Sequence, residues 1–177
     1  AIEKETDLGI KASSYMSEGN LVPDDVIIDL VDETISNNQN KQGVVFDGFP
    51  RTLQQAKALD ALMQTKDTKI SQVFLFDISL EESIERITGR RVCPKTNRVY
   101  HVKTNPPPDE IAHTLKRRED DSREKATHRY EVYLEQTKPL IHYYQDKLVK
   151  INAIQTISEI KTQLNEYIKS LIPVNLS

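Results

Sequence analysis

The sequence predicts an α/β protein: a parallel sheet with helices on both faces, carrying one inserted flap. Three observations support this. Short apolar runs of strand character, Val44-Val45-Phe46, Gln72 to Ile78 and Leu148 to Ile151, alternate with helical segments, the order that builds parallel sheets. The C-terminal segment keeps a clean amphipathic period. Between Arg90 and Ser122 the pattern breaks into short alternating pieces around a triple proline at 106 to 108, with little continuous apolar surface.

The first 20 residues read as helix with Gly19 as its C-cap, opening on Ala-Ile-Glu-Lys-Glu rather than on Met and a strand, as in the middle of a protein. After Pro23, Asp24 to Ser36 places Val26, Ile27, Leu30, Val31 and Ile35 on one helical face. Three consecutive apolar residues ending at Asp47 predict a fully buried strand, and Thr52 caps a helix running to Met63. Gln72 to Ile78 is the next strand, and Glu81 to Thr88 a short helix stopped by Gly89. Arg123 to about Lys147 predicts a long Tyr-rich helix that Pro139 kinks or restarts. Leu148 to Ile151 is the third strand, and Ile157, Ile160, Leu164, Tyr167, Ile168 and Leu171 share a face of the last helix. The expected division is core at 1–89, flap at 90–122 and core again at 123–177.

A chain of 177 residues is expected to form one domain with an insertion. With 24 basic and 27 acidic residues its net charge of -3 argues against a general nucleic-acid binder. The charge is uneven. From Arg86 to Arg129 there are 12 Lys and Arg against 6 Asp and Glu, leaving 12 against 21 elsewhere, a local positive region suited to a small polyanion. The single cysteine, Cys93, allows no intramolecular disulfide and fits a reducing compartment. No apolar stretch reaches the ~20 residues of a membrane span and no secretory core segment is present, so the expectation is a cytoplasmic protein without membrane partners.

The chemistry concentrates at Asp47-Gly48-Phe49-Pro50-Arg51. Gly48 lets the backbone turn or approach a ligand, Pro50 fixes the bend, and Arg51 offers a permanently charged fork suited to phosphate. Asp47 falls at the carboxyl end of its apolar run, where open α/β sheets bind ligands. Further arginines, Arg86, Arg90, Arg91, Arg98, Arg117, Arg118 and Arg129, flank or lie within the flap. Each alone reads as a solvated helix face. Together in an acidic protein they are expected to converge on phosphate, whose transfer depends on charge neutralisation and alignment. Asp120 and Asp121 admit two roles that can hold together, negative charge at the N-terminus of the Arg123 helix and pairing with flap arginines when the flap closes.

The run VVFDGFPRTLQQ at 44–55 resembles the adenylate kinase signature, in which an apolar triplet leads into D-G-F-P-R and, after three more residues, Gln or Asn. The segment TGRRVCPKTNRVYHVKTNPP at 88–107 is similar to the lid of a long-form adenylate kinase, and RREDD at 117–121 followed by Arg129 to the stretch where that lid rejoins the core. The resemblance implies a P-loop nucleoside monophosphate kinase fold and reversible phosphoryl transfer from Mg-ATP to AMP, giving two ADP. It implies a monomeric transferase of nucleotide biosynthesis whose partners are ATP, AMP and ADP.

By the same resemblance, Arg86 and Arg90 contact ATP phosphates, Val99 and Tyr100 lie beside its adenine and ribose, and Gln155 reaches its base through the backbone. Arg51, Arg118 and Arg129 hold the AMP phosphate and the transferring group. Asn20, Leu21 and Val22 meet AMP through backbone groups, and Gly48, Phe49, Pro50 and Gln55 complete its site. Gln55 carries an amide able to donate and accept at once against an adenine edge. Asp47 orients Mg²⁺ through its water shell, since that ion keeps several waters. The catalytic set implied is Asp47, Arg51, Arg86, Arg90, Arg118 and Arg129.

Two departures from the family pattern qualify this. Some members staple the lid with zinc through two Cys pairs. Here Cys93 is followed by Thr96 at the first-pair spacing, and no Cys lies between Pro108 and Leu115, so no structural zinc is expected and His101, His113, His128 and His142 receive no metal role. Second, the donor cradle G-x-x-x-x-G-K-[ST] has no counterpart: the glycines stand at 9, 19, 43, 48 and 89, and none precedes Lys. The 177 residues are therefore expected to lack the first strand, the P-loop and the first helix, to leave a sheet edge uncovered and to have negligible kinase activity as they stand. Two alternatives stay open: a UMP/CMP kinase, which shares D-G-F-P-R but has a shorter lid, and an inactive nucleotide-binding fragment.

Overall fold

In a computed structural model the chain forms two compact units, residues 1–70 and 71–177, and the structure describes residues 6–17, 22–36 and 43–171. The expected C-cap Gly19 lies outside the described residues.

The first unit is helical. Helix α1 (Asp7–Ser17) starts behind Thr6, whose Oγ1 accepts the Gly9 N–H at 3.2 Å and donates to Glu33 Oε2 at 3.1 Å on α2 (Asp24–Ser36). Val26 of α2 is buried, as are Ala56, Leu59 and Met63 along one face of α3 (Leu53–Thr65). Lys66 just past α3 ties it to α2, pairing with Asp32 Oδ1 at 2.6 Å and donating to Ser36 Oγ at 2.8 Å. Residues 43–46 belong to no strand, and Val45 is 89% exposed, so the buried strand expected there is corrected. A strand exists only through a neighbour's hydrogen bonds. Among the described residues none supplies a ladder to this run.

The second unit holds the parallel pair. Strand β1 (Val73–Asp77) lies in register with β4 (Leu148–Asn152), from Val73 opposite Leu148 to Asp77 opposite Asn152. Between them run α4 (Leu80–Gly89), the antiparallel hairpin of β2 (Arg90–Val92) and β3 (Val99–His101), the single turn α5 (Asp109–Ala112) and α6 (Arg123–Val132). Ser79 and Ser122 cap α4 and α6 by accepting the Glu82 and Lys125 N–H groups, each at 3.2 Å. Ile84, Ala126, Leu140, Tyr144 and Ile151 are buried within this unit.

The long helix expected from Arg123 to Lys147 is divided. After α6 a wide π turn spans Tyr133–Thr137, then come α7 (Pro139–Tyr143) and a 3₁₀ turn at Gln145–Lys147. Pro139 restarts the helix at a first-turn position, where its missing N–H costs nothing. On α8 (Ile157–Leu171), Phe74 meets Tyr167 edge-on, while Ile157 at the helix start is 85% exposed. No helix among the described residues is long and apolar enough to cross a membrane.

Candidate functional site

Of the residues expected on the acceptor side, Gly48 to Arg51 and Gln55 lie at the corner entering α3. Gly48 has φ 70°, in the left-handed region that favours glycine, and a Cβ there would stand 3.0 Å from Arg51 Nη2. That close approach lays the Arg51 guanidinium over Gly48, and Arg51 Nε donates to Gly48 O at 2.7 Å. Phe49-Pro50 is a cis bond, and Phe46 packs edge-on against Phe49 at 6.3 Å. Asp47 is exposed at the start of this turn, and Val22 is half-buried just before α2. Asn20 and Leu21 lie outside the described residues.

Gln55 stands at the third position of α3, behind Thr52, which accepts its backbone N–H at 3.1 Å. Its side chain is buried and engaged at both ends. Oε1 accepts the Arg51 N–H at 2.8 Å, and Nε2 donates to Asp24 Oδ1 at 2.7 Å. Asp24 was not singled out from the sequence, because an acidic residue in a helix's first turn already has a reason to be there.

In the second unit, the end of α4 carries Arg86, exposed on its last turn, and Arg90 at its C-cap. Arg90 grips Asp121 with both Nε, at 3.1 Å from Oδ2, and Nη2. Asp121 is fully buried, and its backbone oxygen accepts from Arg117 Nη2 at 2.7 Å. Burial alone would raise the Asp121 pKa, but the Arg90 hydrogen bond and charge, helped by Arg118, outweigh it and hold the carboxyl below its ordinary range. The Asp121 hydrogen bond correspondingly raises the Arg90 pKa. Arg129 pairs with Asp120. Asp121 thus pairs with Arg90 at the start of the flap and Asp120 with Arg129 on α6, outside it, so two of the predicted phosphate ligands already hold carboxylates. Arg118 is exposed.

Three groups satisfy the last carbonyls of α4. Arg91 Nη1 donates to Thr88 O at 3.0 Å, Val102 N to Gly89 O at 3.0 Å, and the His101 ring sits 3.2 Å from Glu85 O. His101 Nδ1 accepts the Lys103 and Thr104 N–H groups, each at 3.2 Å, which assigns the ring proton to Nε2 and its donation to Glu85 O. Lys103 pairs with the Glu85 carboxylate at 2.6 Å. A Cβ on Gly89 would stand 2.2 Å from His101 Nε2. Gly89→Ala is therefore expected to cost about 1–3 kcal/mol, because the ring cannot withdraw without losing its partners. In urea denaturation, Gly89→Ala with His101→Ala should be less destabilised than the sum of the single changes.

Within the flap, Tyr100 is buried with Arg98 over its ring at 5.6 Å, whereas Val99 beside it is 47% exposed. The Cys93 thiol is buried, and bonds from the Thr96 side chain, then from the Thr96 and Lys95 backbone, hold its pKa below the ordinary thiol range. Gln155 Oε1 is buried without a hydrogen-bond partner among the described residues. Among the described residues no three His, Cys, Asp or Glu side chains are grouped to hold a metal.

Residues 1–149 match the model of a family described as adenylate kinase. The chain is 40% identical to an adenylate kinase of Chloroherpeton thalassium over 178 residues, covering 96% of this chain and 82% of the relative. It is 43% identical to one of Desulforamulus reducens over 167 residues, covering 90% and 78% respectively, and 37% identical to one of Clostridium novyi over 175, covering 95% and 81%.

Proposed function

The chain belongs to the adenylate kinase family, and from that membership we propose how its residues divide the work of a nucleoside monophosphate kinase that moves a phosphoryl group reversibly between Mg-ATP and AMP. The observation that carries the division is the Gly48–Arg51 corner. A guanidinium laid over Gly48 and anchored through Nε to a backbone carbonyl is an oriented cation, and phosphoryl transfer is governed by orientation and charge neutralisation.

Arg51 holds the acceptor phosphate, with Arg118 and Arg129 completing the grip on it and on the transferring group. Asn20, Leu21 and Val22 line AMP through their backbone, and Gly48, Phe49, Pro50 and Gln55 close its site. Arg86 and Arg90 neutralise the donor phosphates, and Val99, Tyr100 and Gln155 border the ATP base and ribose. Nucleotide must compete with Asp121 for Arg90 and with Asp120 for Arg129, so the arginines stay oriented while the site is empty. Residues 90–122 act as a lid between core segments 1–89 and 123–177, and their closure excludes water from the transfer.

Bound with ATP, Mg²⁺ would supply charge neutralisation at the phosphates. Asp47, a single exposed carboxylate, fits a contact through metal-bound water rather than a cage made by the protein. Thr96 at the spacing of a second cysteine beside Cys93 fits a flap held without zinc. A cytoplasmic monomer acting on ATP, AMP and ADP completes the reading.

The test is a coupled assay of the full-length protein with Mg-ATP and AMP, CMP or UMP. ADP formation that is strong with AMP and weak with the pyrimidines is expected. Equal turnover of all three would reassign the acceptor, and no ADP with any of them would end the reading.

A further inference from the structure

The geometry points to Asp24 as a positioning residue that fixes the orientation of the Gln55 amide and thereby selects which edge of an acceptor nucleobase the site can read. This rests on the proposed role of Gln55 at the AMP base. The two ends of a glutamine amide are nearly equal in shape, so only its partners decide which end presents oxygen. Thr52 and Gln55 have the spacing of a capping box, in which the third helical side chain returns to the chain at the helix start. Here it returns one residue before the cap, to the Arg51 N–H, which can only be met by an acceptor. Asp24, reaching across from the first turn of α2, can as a carboxylate only be met by a donor.

A reversed amide would set nitrogen against the Arg51 N–H at 2.8 Å and oxygen against the Asp24 carboxylate at 2.7 Å, losing both bonds at a buried side chain. Locked in this way, Gln55 has capacity for one further donation from Nε2 and one further acceptance at Oε1, in a fixed order. Adenine presents an amino donor beside a ring acceptor, whereas hypoxanthine, a purine of nearly the same shape, presents a carbonyl acceptor beside an N–H donor. A fixed amide distinguishes the two; an amide free to turn over matches either.

Calorimetric titration of the full-length protein with AMP and with IMP tests this. Asp24→Ala is expected to weaken AMP binding about tenfold and to lower the AMP-to-IMP affinity ratio by at least as much. Asp24→Asn should restore both, because its Oδ1 still accepts the Gln55 proton. A merely structural loss would weaken AMP and IMP in parallel, and that result overturns the assignment. An unchanged ratio in Asp24→Ala, or an Asp24→Asn variant as impaired as Asp24→Ala, overturns it as well. Failure of the unsubstituted protein to bind AMP at all would instead remove the base-reading role of Gln55, and the inference with it.

Discussion

Replacing Asp121 by alanine is expected to destabilise the protein by about 3–5 kcal/mol, the cost of stranding one charge of a buried pair. Asp121 is fully buried, and Arg90, its partner, is largely covered, with its side chain 25% exposed. Removing the carboxylate leaves the Arg90 guanidinium desolvated without its acceptor and loosens the turn that Arg117 and Arg118 fix around residue 121. Urea denaturation at neutral pH measures the loss. Arg90→Ala combined with Asp121→Ala should be less damaging than the two changes added, since the double variant leaves no stranded charge. The acid limb carries a second signature. The folded pKa of Asp121 lies below the unfolded value of about 3.9, so the pair's contribution is complete above that pH and is lost as pH falls through the depressed folded value. The alanine variant should show a correspondingly flatter loss of stability between those limits.

Arg51→Ala is expected to lower kcat/KM for AMP by about 10³ in the full-length enzyme, the scale on which a single arginine stabilises a transferring phosphoryl group. Arg51→Lys should recover little, because an ammonium cannot both hold the Gly48 carbonyl as Nε does and present a planar fork to phosphate. Steady-state kinetics with AMP and ATP varied separately would separate this from a folding defect: the loss should fall on AMP, with KM for ATP near its original value. A loss of only a few-fold would place Arg51 outside the transfer machinery.

Much of this architecture is legible in the chain. The runs at 73–77 and 148–152 are rich in β-branched and aromatic residues and pair as strands, and Thr52, Ser79 and Ser122 each accept the backbone N–H three residues on. The placing of arginines at the C-terminal end of α4 and around the start of α6 also follows from their order along the sequence. The remainder depended on partners that local pattern does not encode. Val44, Val45 and Phe46 have strand chemistry, but pairing is a property of a neighbour. The pairing of Arg90 with Asp121 spans 31 residues, and the contact of His101 with Gly89 depends on how a hairpin folds back on the helix before it. Asp24 was hidden differently: its composition already had a local explanation, so nothing in the sequence demanded that it also face Gln55, 31 residues away.

The wide turn at Tyr133–Thr137 bears on how this chain tolerates change in its length. An α-helix advances about 100° per residue, so adding or deleting one residue swings everything beyond it to another face. Within α6 such a change would rotate Arg129 away from Asp120. A π turn takes in one residue more than the α turn it replaces and returns the helix to phase. The segment therefore behaves as slack. A codon lost there would leave a regular α-helix with Arg129 on one side and the buried Leu140 and Tyr144 on the other still in phase.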